Sequence, residues 1–110
     1  MKSTEESVLL RILIGEKDKL HGKPLYESIV MKARELHLAG ATVVRGILGF
    51  GADSRLHSAK LLELSQDLPI IIEIADTREN IDRLLPFIDE HVVEGMVTME
   101  KVQVFKYRHG

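Results

Sequence analysis

Four short segments of the chain are rich in aliphatic residues or alternate between apolar and polar positions. They are "SVLLRILI" (7–14), "ATVVRGIL" (41–48), "LPIIIEIA" (68–75) and "EKVQVFKY" (100–107). Runs of this length with β-branched residues and period-2 alternation are typical of β-strands. The pattern therefore predicts four strands.

A helical period separates the first strand from the second. In "PLYESIVMKARELHL" (24–38) apolar residues recur every three or four positions. Pro24 suits the first turn of a helix, where its missing N–H costs nothing. Gly40 is a natural stop beyond the end. We predict a helix from 24 to 38.

A second helical period, "DTRENIDRLLPFIDEHVVEG" (76–95), follows the third strand. Asp76 and Glu79 have the spacing of a capping box, and Gly95 ends the segment. Pro86 lies within the helical pattern, so a kink is expected near it.

The resulting order is β-α-β-β-α-β. This order is typical of the ferredoxin-like α+β fold, in which two helices cover one face of a four-stranded antiparallel sheet. The length of 110 residues suits one domain, so we predict a single ferredoxin-like domain over 1–110.

The uncovered face of this sheet is predicted to be unusually apolar. Side chains alternate between the two faces of a strand. One face receives Val8, Leu10, Ile12, Ile14, Ile70, Ile72 and Ile74, and the other receives Leu9, Arg11, Leu13, Ile71, Glu73 and Ala75. Because the second set is still mostly apolar, we expect an oligomer to bury it, with Arg11 and Glu73 paired there. The alternative is a monomer with a few exposed aliphatic residues.

Composition narrows the classes of partner and location. The net charge of −2 gives no reason to expect nucleic acid, whose binders are usually basic. There is no cysteine, which excludes disulfides, thiolate metal sites and cysteine nucleophiles. No signal peptide is visible, and no apolar run approaches the roughly 20 residues that span a bilayer. We predict a cytoplasmic protein without direct membrane insertion.

A glycine-rich turn follows the second strand. Gly49, Phe50 and Gly51 do not form a G-x-G-x-x-G motif that opens a helix, so the turn is not a dinucleotide fingerprint. Glycine there can serve backbone geometry alone. A ligand site and a simple turn both remain open.

The next segment, "SRLHSAKLLELSQ" (54–66), also admits two interpretations. It is a loop or short helix held on the core by leucines, or it is a partner-binding arm that uses Arg55, His57 and Lys60.

Catalytic motifs are absent: the chain has no G-x-S-x-G elbow, H-E-x-x-H or P-loop. The histidines are scattered, and no metal site is predicted. We expect a protein that is not an enzyme.

The combination "ATVVRGILGFGADS…LPIIIEIAD" resembles the PII signal-transduction proteins, whose second strand runs into Gly-Phe-Gly at the base of a long loop. It is closer still to an uncharacterised PII-like family, through "GKPLYESIV", "GATVVRGILGFG" and "DLPIIIEIAD" over residues 7–107. The resemblance implies a homotrimer that assembles through its sheets.

It also implies an adenine nucleotide in the clefts between subunits. Gly49, Phe50 and Gly51 match the base of the long loop, and 52–67 match the loop itself, which docks on a transporter or enzyme. "EGMVTMEKVQV" (94–104) aligns with a second nucleotide loop, in which Gly95 and Lys101 occupy matching positions.

The chain departs from that second loop. Thr98, Met99 and Glu100 stand where the pattern has Gly-Asp-Gly, and side chains there hinder the approach of backbone N–H groups to phosphate. The sequence therefore establishes no cofactor, and an adenine nucleotide is the candidate.

The sequence predicts a trimeric PII-like module that senses a small anionic ligand and acts on a protein partner. The alternatives are an assembly protein without a ligand and a small enzyme of unknown reaction.

Overall fold

The computed structural model describes residues 2–51, 56–58 and 67–109. In chain order the elements are β1 (Lys2–Gly15), β2 (Lys19–Leu20), β3 (Lys23–Pro24), α1 (Leu25–Glu35), β4 (Thr42–Arg45), β5 (Leu48–Gly49), β6 (His57–Ser58), β7 (Pro69–Asp76), α2 (Arg78–His91) and β8 (Met96–Tyr107).

The main sheet has the strand order β4-β7-β1-β8, and every neighbouring pair is antiparallel. This is the predicted ferredoxin-like topology. The two-residue pairs β2–β3 and β5–β6 form separate hairpins. In the part of the chain that the structure describes, no helix is long and apolar enough to cross a membrane.

The core lies between the sheet and the two helices. Its residues are Val8, Leu10, Ile12, Ile14, Leu25, Ile29, Ala33, Ile70, Ile72, Ile74, Ile81, Leu84 and Ile88. They include the predicted inward faces of β1 and β7. Each fully buried aliphatic side chain contributes roughly 1.5–3 kcal/mol, so this face determines the register of the sheet.

Strands β1 and β8 extend further than predicted. Their pairing runs continuously from Lys2↔Tyr107 to Leu13↔Met96, whereas the sequence predicted strands only over 7–14 and 100–107. The polar residues Lys2–Glu6 show no apolar alternation, because they are mostly exposed and contribute no apolar side chains to the core. The second loop that the resemblance implied at 94–104 is also not formed, since Met96 and the residues that follow it lie within β8.

The ends of the helices differ from the sequence predictions. Helix α1 ends at Glu35 instead of 38, and His37 follows with a left-handed φ of 61°, so Gly40 is not its stop. At the start of α2 the capping side chain is Thr77, which accepts a hydrogen bond from the Asn80 N–H at 3.2 Å. The capping box of Asp76 with Glu79 is therefore not formed.

Two further boundaries differ for local reasons. Strand β4 covers 42–45 and not 41–48, since the chain leaves the sheet at Gly46. A Cβ on Gly46 would lie 2.7 Å from the Pro69 ring, which only glycine avoids. Helix α2 continues through Pro86 and ends at His91, four residues before Gly95.

Candidate functional site

A polar row crosses the open face of the sheet. Backbone register places Thr42, Glu73, Arg11 and Thr98 side by side on β4, β7, β1 and β8. The Arg11 Nε and Nη2 donate to the same oxygen, Glu73 Oε2, at 3.0 and 2.8 Å. The predicted pair is confirmed. Arg11 Nη1 also lies 4.0 Å from Glu100 Oε1.

An apolar row lies beside this polar row. Leu13 and Ile71 are opposite each other on β1 and β7, and Val44 and Met96 extend the same row to the outer strands. Val44 is 45% exposed and Met96 58% exposed. A continuous apolar surface of this kind usually marks a contact site.

A crevice of about 580 Å³ lies at one end of this face. Its floor is the sheet at Leu9, Glu73 and Ala75. One wall is the α1–β4 connection (39–42), and the other is the end of β8 with the residues that follow it (106–108). The lining therefore combines small residues with two cations, Lys106 and Arg108, and one carboxylate, Glu73.

The α1–β4 wall is held by a buried carboxylate. Asp76 is only 3% exposed and accepts the Ala39 N–H at 2.8 Å, the Thr77 N–H at 2.7 Å and the Asn80 side-chain amide at 3.0 Å. Burial disfavours the charged form, but these hydrogen bonds, led by that from Asn80, outweigh it and hold the pKa of Asp76 below its usual range. Asp76 thus joins the crevice wall to the start of α2.

Lys106 connects the other wall to this network. Its Nζ lies 2.7 Å from Glu5 Oε1 on β1, and its charge favours the ionised form of Asp76. The long β1–β8 pairing brings Lys106 to this position. The sequence analysis did not identify this crevice, because its walls come from segments that are far apart along the chain.

The segment that leads from the end of β4 to the start of β7 is anchored at both of its ends. The Gly46 N–H donates to the Pro69 carbonyl at 2.7 Å. At the far end, the Lys17 N–H donates to Asp67 Oδ1 at 2.8 Å, and the Glu16 N–H donates to the Leu68 carbonyl at 2.8 Å. Arg45 and Glu16 form an ion pair. The β1–β2 loop therefore fixes the base of this segment.

Four of the five predicted ligand residues lie at this end of the sheet. A Cβ on Gly49 would lie 3.3 Å from the Pro69 ring, and one on Gly95 would lie 2.6 Å from the Leu13 carbonyl oxygen. Phe50 is 71% exposed. A Cβ on Gly51 would meet none of the described residues within 4 Å.

The fifth predicted ligand residue is distant from the others. Lys101 is paired with Val8, six residues along the chain from Gly95, which corresponds to about 20 Å of strand. It also projects from the helix-covered face, as Val8 does. The structure does not bring Gly95 and Lys101 together as the resemblance implied.

The predicted partner-binding residues are only partly described. His57 lies in β6, is half-buried and pairs with Gly49. Arg55 and Lys60 lie outside the described residues.

Comparison with known proteins gives the family. Residues 7–104 match the family DUF190, described as "Uncharacterized ACR". A UPF0166 protein of Aquifex aeolicus is 40% identical over 97 residues, which cover 87% of this chain and 90% of the relative. A UPF0166 protein of Methanocaldococcus jannaschii is 34% identical over 99 residues, with 89% and 91% covered.

Solved structures share the fold. CPII of Thiomonas intermedia K12, a nitrogen regulatory PII-like protein bound to ADP, AMP and bicarbonate, superposes with a TM-score of 0.66 at 23% identity, covering 93% of this chain and 91% of CPII. A putative PII-like signaling protein of Thermus thermophilus gives a TM-score of 0.61 at 16% identity, covering 94% and 91%. The chain therefore belongs to the DUF190 (UPF0166) family and has the fold of the PII-like proteins.

Proposed function

We propose that this protein is a PII-like regulatory module. Three copies associate through the open sheet face and hold a small anionic ligand, with an adenine nucleotide as the first candidate, in the crevices between copies. Ligand binding then changes how residues 52–67 dock on a protein partner such as a transporter or an enzyme. The module itself is not catalytic.

The relative position of two surfaces carries this proposal. The crevice with Lys106 and Arg108 lies at the Ala75 end of β7, whereas Gly49–Gly51 lie at the Pro69 end. Six residues of strand separate these ends by about 20 Å. A small ligand can touch both surfaces only where two copies meet head to tail, as they do in a cyclic oligomer.

The chemistry of the two surfaces suits a phosphorylated ligand. Lys106 and Arg108 supply positive charge in the crevice. At Gly51 no described residue blocks the approach of a ligand to the backbone, and Phe50 offers an exposed ring beside it. CPII, which shares the fold, is bound to ADP and AMP, which makes adenine nucleotides the first ligands to test.

The anchored base of the long segment provides the route for a signal. A ligand at Gly49–Gly51 touches the chain directly before residue 52, while the β1–β2 loop holds Asp67 at the other end. The ligand can shift the conformation of this segment only through different affinities for its two states. An assembly protein that binds no ligand is the alternative.

Thermal unfolding with and without ligand tests the proposal. ADP, AMP, ATP and inorganic phosphate are added separately, and the oligomeric state is measured by light scattering after size exclusion. At roughly 100 times Kd, ligand binding stabilises the native state by about 2.7 kcal/mol, which raises Tm by several degrees. The Gly51→Val variant should remain trimeric and lose this shift, while Thr4→Val, on exposed β1 outside the site, should retain it.

Three outcomes separate the hypotheses. A trimer stabilised by a nucleotide in a Gly51-dependent manner supports the regulatory module. A trimer that no ligand stabilises favours the assembly protein. A folded monomer at all concentrations would refute both, because no crevice between copies would exist.

A further inference from the structure

A second concave surface, which we call the helix-side groove, lies on the opposite side of the molecule from the open sheet face. It lies between the β2–β3 hairpin, α1 and α2 and encloses about 340 Å³. Leu20, Met31 and Phe87 form its apolar floor, and His21, Lys23 and Lys32 line its rim. None of these residues belongs to the crevice described above.

The floor of the helix-side groove presents apolar area to solvent. Met31 is 55% exposed although Ile29 on the same helix is fully buried. Leu20 and Phe87 are partly buried: one side of each side chain packs against the core, and the other side borders the groove. The flexible thioether of methionine adapts well to different side chains of a partner.

The hairpin wall is rigid. His21 and Gly22 form its two-residue turn with φ of 52° and 80°, the left-handed values of a type I′ turn. Leu20 pairs with Lys23, and the Leu25 N–H at the start of α1 donates to the Asp18 carbonyl at 2.7 Å. A rigid wall limits the entropy lost when a partner docks.

The rim is positively charged, in contrast to the chain as a whole. Lys23 and Lys32 lie on it with His21, and Glu35 is the carboxylate in the lining. Glu35 lies 3.6 Å from Lys32 and pairs with it, so these two charges offset each other and Lys23 supplies the excess positive charge of the rim. The net charge of the chain is −2, so this excess of positive charge is local and favours an acidic partner.

We infer that the helix-side groove docks an acidic amphipathic segment of a partner protein. One apolar side chain of that segment packs on Met31 and Phe87, and its carboxylates pair with Lys23 and compete with Glu35 for Lys32. A volume near 340 Å³ accommodates one or two apolar side chains of such a segment. Because self-association is proposed through the opposite face, the groove stays open in the assembly.

Binding of a defined peptide tests this inference. The probe is a fluorescein-labelled 14-residue peptide with Leu and Phe at helical spacing and Asp or Glu elsewhere. Its matched control carries Lys at every acidic position. We expect the acidic peptide to bind at least tenfold more tightly, and its affinity to fall as salt increases. Amide shifts in NMR spectra should cluster on Leu20, Met31 and Phe87.

Surface variants locate the contact. The double variant Lys23→Glu/Lys32→Glu should weaken binding of the acidic peptide about tenfold or more, because rim charges govern encounter with a charged partner. Met31→Ala should weaken it several-fold without changing the rim charge, and it serves as a second test if the double variant folds poorly. Lys2→Glu, an exposed charge reversal at the far end of β1, is the control and should leave binding unchanged.

Several results would overturn the inference. These are equal binding of the two peptides, equal weakening by Lys2→Glu, or amide shifts that cluster on β1 and β8. Concentration-dependent shifts at Met31 without peptide would assign the groove to a second copy of the chain. The groove would be assigned to a membrane surface if the protein sedimented with phosphatidylglycerol vesicles but did not bind the acidic peptide. That sedimentation would have to depend on Lys23 and Lys32.

Discussion

Arg11 and Glu73 lie directly opposite each other on β1 and β7, and both hydrogen bonds from Arg11 go to one carboxylate oxygen. The two side chains are 37% and 38% exposed in the single chain, and an apolar row lies beside them. Ion pairs open to water contribute little, whereas breaking a buried pair leaves an uncompensated charge. The energy of this pair therefore reports whether another copy covers the face.

A double-mutant cycle of Arg11→Met and Glu73→Gln measures that energy. We expect a coupling of at least about 2 kcal/mol in the assembled protein, because a covered pair is shielded from water. The exposed pair Arg78–Asp82 on α2, at 2.8 Å, is the matched control and should give about 0.3–0.5 kcal/mol. Equal couplings for the two pairs would mean that the sheet face is open to solvent.

Gly95 is required by packing, whereas Gly51 is not. A Cβ at Gly95 would lie 2.6 Å from a backbone oxygen that cannot move freely. Gly95→Ala should therefore lower the free energy of unfolding by about 1–3 kcal/mol. Gly51→Ala should change it by less than about 0.5 kcal/mol. Denaturant titration of both variants without ligand checks this contrast, and similar losses would contradict it.

Filling the crevice should abolish ligand binding without unfolding the protein. Gly40 lines the crevice, and a Cβ there would meet none of the described residues within 4 Å. We expect Gly40→Leu to keep the Tm of the free protein within about 2 °C, since a surface change of this kind costs under about 0.5 kcal/mol. The same variant should remove the shift that ADP produces, and Gly40→Ala should reduce that shift less. Arg83→Leu, on the exposed side of α2, controls for added apolar surface.

The stability supplied by Asp76 should depend on pH. Its pKa is lowered in the folded protein relative to about 3.9 in an unfolded chain. The stabilisation is therefore fully present above about pH 4 and is lost as pH falls through the lower, folded value. Asp76→Asn should cost about 2–3 kcal/mol at pH 7, because the backbone N–H groups of Ala39 and Thr77 and the Asn80 side-chain amide all lose a charged acceptor.

The difference in stability between Asp76→Asn and the wild type should narrow below about pH 4. Urea unfolding at pH 3 to 8 measures it, with Asp89→Asn on exposed α2 as the control. A difference that stays constant down to pH 3, or one that grows, would contradict the role of the ionised carboxylate.

The alternation of residues in β1 and β7 was enough to predict the buried face of the sheet and the Arg11–Glu73 pair. Period 2 assigns side chains to faces wherever one face is buried, so the face of each residue depends only on its neighbours along the chain. The contact between Arg11 and Glu73 also needs the register of β1 with β7. The helical periods likewise predicted both helices from neighbours along the chain. They did not predict where the helices end, because the cap at Thr77 and the left-handed His37 depend on local hydrogen bonds.

The candidate site was only partly predictable. Its glycine segment, Gly49–Gly51, was identified from the sequence and the family resemblance. The resemblance placed Lys101 in a nucleotide loop with Gly95, but pairing with β1 already begins at Met96 and draws this segment into β8. That long pairing is a contact between the two ends of the chain, and no local pattern reports it.

The sequence alone thus determined which aliphatic side chains of β1 and β7 are buried and which face of the sheet is left uncovered, since both follow from the spacing of apolar residues. Only the tertiary structure decided that Lys106 faces the α1–β4 connection and that Asp76 holds the Ala39 N–H. It also decided that Met31 and Phe87 share one groove. These relationships join residues distant in the chain, so they depend on how the packed elements meet in space.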